Sequence, residues 1–164
     1  MDALLSPKRP QITVPAGSEI LLRDLVHLRT GTYFDKSNFY LMIDKLTPLI
    51  VSNGFSSLLD FYFFMKNRPH FSDEWRRVID ALSVQETYFW REMDQVNTLV
   101  NQIVPEWFSK SNDLLRIWVA ACASGEEAFT IAIALEEAGW GRHPIKIVAT
   151  DASEAALQKG QTGI

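Results

Sequence analysis

The sequence predicts an α + α/β chain: a small all-α N-terminal domain joined to the first βαβ part of a parallel sheet that is incomplete at its C-terminal side. Three observations predict it. Residues 114–151 read as strand, tight turn, helix, turn and strand, the order of a βαβ unit. Residues 17–82 carry four short apolar stripes at helical spacing. Residues 83–93 mix aromatic and polar side chains with no clean period, as a connector does. The expected divisions are therefore a leader over 1–16, a helical domain over 17–82, a connector over 83–93, and the opening of an α/β domain over 94–164.

Bulk properties narrow the class. The chain has 164 residues, 47% hydrophobic and 22% charged, enough apolar material for a core. Its net charge of −4 gives no electrostatic support to nucleic-acid binding. The single cysteine, Cys122, excludes an intramolecular disulfide and fits a reducing compartment. No apolar run approaches a membrane span, and no signal-peptide succession opens the chain. A cytoplasmic protein without membrane insertion is the expectation.

Each element has a local reason. Pro7, Pro10 and Pro15 make 1–16 an irregular leader, ordered only by docking. Ser18 is placed to cap a helix running to Arg29 or Thr30, with Gly31 as its stop. Asp35 or Ser37 opens a second helix, which Pro48 should kink or interrupt. Asn53-Gly54 forms a turn, and Ser56 or Ser57 caps a third, aromatic-rich helix over 58–66. Ser72 caps a fourth over 73–82, where Trp75, Val78, Ile79 and Leu82 follow helical spacing. His27 and His70 have no metal-ligand pattern and read as surface or packing residues. A helix over 94–110 follows the connector, disturbed at Pro105.

The βαβ unit carries the chemistry. Residues 115–121 form an apolar strand suited to burial on both faces. Cys122-Ala123-Ser124-Gly125 is a small-residue corner that lets a backbone approach a ligand. Glu126-Glu127 opens the next helix, where carboxylates suit the dipole. Its apolar positions are Phe129, Ile131, Ala132, Ile133 and Leu135, and Gly139 stops it. A second strand over 145–150 ends on Asp151. An acidic residue there is how a βαβ unit holds a ribose, although an Asp after a strand also serves simply to cap the next helix. Ser153 should cap a final helix, with Gly160 and Gly163 loosening the chain after it. The corner has one glycine, so the three-glycine dinucleotide fingerprint is missing, and an oxidoreductase is disfavoured.

Several segments then fall together. Gln85-Glu86-Thr87-Tyr88-Phe89-Trp90-Arg91 resembles the connector of the CheR family of chemotaxis receptor methyltransferases, whose pattern is close to N-x-T-x-F-F-R. Ala121-Cys122-Ala123-Ser124-Gly125-Glu126-Glu127 resembles that family's first-strand corner. Ala149-Thr150-Asp151, with Leu157 and Gly163, resembles its second-strand segment. Leu22-Arg23-Asp24-Leu25-Val26, Arg29-Thr30-Gly31 and Gly54-Phe55-Ser56-Ser57 match in the helical part.

The resemblance implies a helical domain joined to a Rossmann-like methyltransferase domain. The cofactor would be S-adenosylmethionine, leaving S-adenosylhomocysteine, and the reaction methyl transfer to protein glutamate carboxylates of a chemoreceptor's cytoplasmic region. It implies that Thr87 and Arg91 reach the methionine end of the cofactor. A second role for Arg91, orienting the acceptor carboxylate, is our own expectation beside it. The resemblance further implies that Gln85 and Gly125 line the cofactor site, that an acidic residue of Glu126-Glu127, Glu127 before Glu126, holds the amino group or lies beside it, and that Asp151 takes the ribose hydroxyls. Gln85 stands where the family usually has Asn. The second helix has Lys45 as its only base, where the family is commonly rich in Arg. Alternatives are a different acidic protein as acceptor, or a non-catalytic partner-binding module. The family's remaining strands would need roughly 100 further residues. We therefore expect this chain alone to be inactive, with an uncovered sheet through which copies could associate.

Overall fold

A computed structural model describes residues 11–163, which fall into two compact units, Met1–Ser83 and Val84–Ile164. The leader's first ten residues lie outside the described part, as does Ile164.

The first unit holds α1 (Ser18–Thr30), a 3₁₀ turn (Lys36–Asn38), α2 (Phe39–Ser52), α3 (Leu58–Lys66) and α4 (Asp73–Leu82). Each helix sends one stripe inward. Leu22, Leu25 and Val26 of α1 meet Met42, Leu46 and Ile50 of α2, then Leu58, Phe61 and Met65 of α3, and Trp75, Val78 and Leu82 of α4. These spacings of three and four are what a 3.6-residue period requires of a one-sided core.

The helix ends show which side chains act as caps. The Asp35 carboxylate accepts from the Ser37 and Asn38 amides, opening the 3₁₀ turn that leads into α2. Those bonds, the Ser37 hydroxyl foremost, hold its carboxyl below the usual range. Ser72 caps α4 by accepting from the Trp75 amide. Ser18 does not cap α1. The cap position belongs to Gly17, left-handed at φ 83°, and the Ser18 hydroxyl donates backward to the Pro15 carbonyl at 2.6 Å. Pro48 does not interrupt α2 either. It lies on the exposed side, while Met42, Leu46 and Ile50 anchor both halves of the helix to the core. Of the leader's described end, Thr13 bridges Ser57 and exchanges backbone hydrogen bonds with Ser56 and Leu58, and Ile12 packs on the core.

The second unit opens with α5 (Met93–Thr98), passes through a π turn (Leu99–Ile103) and continues as α6 (Val104–Lys110). Pro105 cannot donate to the Asn101 carbonyl, so the ladder widens there, and the Val104 amide reaches back to Leu99. Then follow β1 (Leu115–Ala120), α7 (Glu126–Glu137), β2 (Ile145–Thr150) and α8 (Glu154–Thr162). The two strands are parallel, in register from Leu115 opposite Ile145 to Ala120 opposite Thr150. Gly139, at φ 84°, ends α7, and the Trp140 amide closes onto the Leu135 carbonyl.

The core of this unit joins Val96, Val100 and Val104 to Leu115 and Val119 of β1 and to Ile131 and Leu135 of α7. The expectation that β1 is buried on both faces is corrected. Its residues alternate, and the second sheet face exposes Trp118 (71%) and Val148 (40%), with the Trp118 indole donating to Thr150 Oγ1. Phe129 and Ile133 are likewise half exposed, because they lie off the Ile131–Leu135 stripe. Gly160 does not loosen a tail. It sits inside α8, against the backbone of Ser124. Among the described residues, no helix is long and apolar enough to cross a membrane.

Candidate functional site

Beyond β1 the backbone takes an unusual course. Ala121 (φ 58°), Ala123 (φ 46°) and Gly125 (φ 95°) are all left-handed, a conformation that costs an L-residue about 1–2 kcal/mol. Four backbone contacts hold it. The Cys122 amide donates to the Thr150 carbonyl at 3.0 Å, extending the ladder one step past the strands. The Gly125 amide donates to the Cys122 carbonyl at 2.8 Å. Asp151 supplies the rest: Oδ2 accepts from the Ala123 amide and Oδ1 from the Ser153 amide, both at 2.8 Å. Its carboxylate thus ties the tip of β1 to the tip of β2. Ser153 is fully buried and caps α8 by accepting from the Ala156 amide.

The acidic pair at the start of α7 divides. Glu126 takes the Ser124 hydroxyl on its two oxygens at 3.0 and 2.8 Å. Glu127 is exposed. Their field is felt at Cys122, which is 3% exposed. Burial pushes its thiol up from 9.0, and Asp151, Glu127 and Glu126 push the same way. Three carboxylates therefore make this corner negative, the polarity that suits a cationic ligand. The folded chain holds the thiol proton more tightly than the unfolded one. This contribution to stability is complete below the ordinary thiol value and is lost as pH rises through it toward the folded value. Iodoacetamide at pH 8 should modify Cys122 at least about tenfold more slowly in the folded chain than in urea. Equal rates would show that the thiol is neither shielded nor raised.

The connector is fastened to this unit. Gln85 Nε2 donates to Ser153 Oγ at 2.9 Å, and the Lys159 ammonium approaches Gln85 Oε1 at 3.5 Å. Farther along, the Trp90 amide donates to Thr130 Oγ1 at 3.2 Å. Arg91 turns back on its own segment, donating to the Glu86 carbonyl at 3.1 Å with its guanidinium 5.5 Å from the Tyr88 ring centre. Thr87 is half-buried.

Of the residues singled out from sequence, Gly125, Glu127 and Asp151 thus share the corner, and Gln85 reaches it through Ser153. Thr87 and Arg91 stay on the connector. Sequence reasoning placed Ser124 in the corner but missed its hydroxyl bond to Glu126, missed Thr130 and the second role of Ser153, and misread Gly160. Only Gly160 carried a signal, a glycine inside an apolar helical pattern. Beside the corner lies an open, largely apolar cavity of about 450 Å³, lined by Gly125, Ala128, Phe129, Ile147, Leu157 and Gly160 among others.

A four-helix unit followed by a parallel βαβ unit fits an all-α domain joined to an incomplete Rossmann-like domain. Comparison with known families sharpens this. Residues 20–83 match the CheR methyltransferase all-alpha domain, and residues 85–164 match the CheR methyltransferase SAM binding domain. The chain belongs to the CheR methyltransferase family. It is 32% identical over 146 residues to chemotaxis protein methyltransferase 2 of Vibrio cholerae, covering 87% of this chain and 50% of that protein. It is 31% identical over 149 residues to the chemotaxis protein methyltransferase of Borreliella burgdorferi, covering 85% and 52%. The chain spans about half the length of these curated relatives.

Proposed function

We propose that this chain is the N-terminal portion of a cytoplasmic, S-adenosylmethionine-dependent protein-glutamate O-methyltransferase acting on chemoreceptors. The convergence of Asp151, Glu126 and Glu127 on the left-handed corner carries the reading. A ligand bearing both a sulfonium and an ammonium finds there the charge it needs. The cofactor, when bound, supplies a methyl group activated by the sulfonium. Glu127, exposed at the start of α7, takes the ammonium. Asp151 keeps lone pairs on both carboxylate oxygens beyond its two backbone bonds, and these accept the ribose hydroxyls. Gly125 lets the backbone approach closely. Gln85 and Thr87 bound the site on the connector side, and Arg91 pairs with the methionine carboxylate and orients the acceptor glutamate. That acceptor is ionised at neutral pH, so no general base is required. The residues contribute alignment and exclusion of water.

The 164 residues by themselves do not complete this chemistry. The exposed Trp118 and Val148 face is where a full domain is covered, and in this chain alone it is where two copies associate. Calorimetric titration with S-adenosylhomocysteine, light scattering, and methyl transfer to a receptor cytoplasmic fragment test the whole reading. Measurable binding, self-association and negligible transfer are expected. No binding by a chain extended to the relatives' length would refute the cofactor assignment. Strong transfer by a monomer of 164 residues would refute its incompleteness.

One observation favours a second reading of the acceptor. Lys45, the only base on α2, donates to the Leu82 and Ser83 carbonyls at 3.0 and 3.5 Å, capping α4. Its ammonium is turned onto carbonyls inside the helical unit rather than extended toward an acidic receptor helix. The acceptor is then a protein other than a chemoreceptor, with the methyl chemistry unchanged.

A further inference from the structure

We propose that Thr130, a residue of α7 outside the cofactor site, is a positioning residue that sets the direction of Arg91. Arg91 stands between two left-handed residues, Trp90 (φ 67°) and Glu92 (φ 51°). For side chains of that size such backbone is uncommon, and it persists only where the surroundings dictate it. On the Glu92 side the dictate is local. Its carbonyl accepts from the Gln95 amide at 2.9 Å as α5 begins. On the Trp90 side it comes from 40 residues away, in the Trp90 amide bond to Thr130 Oγ1.

Thr130 is built for this. It is 1% exposed, and its hydroxyl donates to the Glu126 carbonyl at 2.6 Å. With its only proton committed there, Oγ1 is oriented to accept. The same hydroxyl therefore bonds the first turn of α7, which carries Glu126 and Glu127, and the residue next to Arg91. With Gln85 fixed on Ser153 at the other end, the connector is clasped at two points, and residues 86–89 span between them. Without the Thr130 bond, Trp90 would relax to negative φ and swing Arg91 with it. The link to Arg91's work rests on the cofactor reading above; the clasp itself does not.

Two measurements on the 164-residue chain decide the clasp. In wild type, the Trp90 amide should exchange with deuterium as slowly as the amides of the first full turn of α7. Exchange at the unprotected rate would overturn the proposal, and no variant is needed to see it. Thr130→Val removes the hydroxyl at nearly constant volume. Trypsin should then cut after Arg91 about tenfold faster than in wild type, while Thr130→Ser restores the wild-type rate. Urea midpoints measured in parallel separate local release from global loss of stability. Cleavage unchanged in Thr130→Val, or raised no more than its loss of global stability predicts, would sink the clasp. S-adenosylhomocysteine affinity should fall about tenfold in Thr130→Val and recover in Thr130→Ser. A released connector with unchanged affinity would overturn the positioning role. If wild type extended to the relatives' length binds no S-adenosylhomocysteine, it is the cofactor reading that fails, and cleavage and exchange still decide the clasp.

Discussion

Gly160→Val will destabilise the second unit by about 2–3 kcal/mol, although it adds apolar volume beside an apolar cavity. The reason is backbone, not side chain. A Cβ on Gly160 would stand 2.4 Å from the Ser124 carbonyl oxygen and 3.0 Å from its carbonyl carbon. Neither atom can rotate away, because Ser124 lies in the corner fixed by the Ala123 amide bond to Asp151 and the Gly125 amide bond to Cys122. Helix α8 must retreat, and with it go the Leu157 contact to the core and the Lys159 approach to Gln85. Gly160→Ala gives the sharper comparison. In an ordinary helix interior this change gains about 1 kcal/mol; here the retreat of α8 cancels that gain. Urea unfolding followed by tryptophan fluorescence reads the right unit, since Trp90, Trp107, Trp118 and Trp140 all lie in it. An Ala variant more stable by the full helix-propensity amount would mean that the close approach of α8 to the corner carries no constraint.

The same glycine shows where sequence reading stops. Gly160 looked like a loosening residue because its neighbour is 36 positions away and invisible to periodicity. The helices were legible for the opposite reason. Trp75, Val78 and Leu82 repeat every three or four residues, and one-sided burial follows from that spacing. Even so, the period marks which residues are apolar, not what they face. Phe129 and Ile133 belong to the apolar set of α7 yet stand half exposed, Phe129 over the cavity beside the corner. Caps were half legible. Ser72 and Ser153 act as read, but Ser18 yields to Gly17, because a left-handed glycine and a nearby Pro15 carbonyl redirect its hydroxyl. The connector was the least legible part. It has no period, and its fastenings join residues 68 and 40 positions apart. The left-handed Ala121 and Ala123 gave no warning, since alanine does not announce positive φ as glycine does. What carried the functional reading was the order of short motifs along the chain, a property of the family rather than of local physics.

Asp151→Ala should cost the second unit about 2–4 kcal/mol before any cofactor is added, and should also abolish cofactor binding. A residue that only met a ribose would leave the ligand-free chain as stable as wild type. Asp151 instead accepts from two backbone amides, of which the Ser153 amide belongs to a fully buried residue and the Ala123 amide to one 6% exposed. Removing the carboxylate strands both donors away from water, and it also frees the corner whose left-handed alanines that carboxylate restrains. Asp151→Asn separates the two roles. The amide offers one acceptor oxygen, so one backbone bond survives, while its NH₂ group turns a donor toward the other. A stability loss of about half that of the alanine variant is expected, with cofactor affinity falling further than the stability loss alone explains. The measurement is a pair of urea curves for each variant, with and without S-adenosylhomocysteine. Wild-type stability without ligand and a loss confined to binding would assign Asp151 to the ribose alone. Lost stability with unchanged affinity would make it a strand tie that never meets the ligand. The geometry requires the stability loss, because the carboxylate holds the two strand tips in place; the loss of binding follows from the proposed function, in which the same carboxylate meets the ribose.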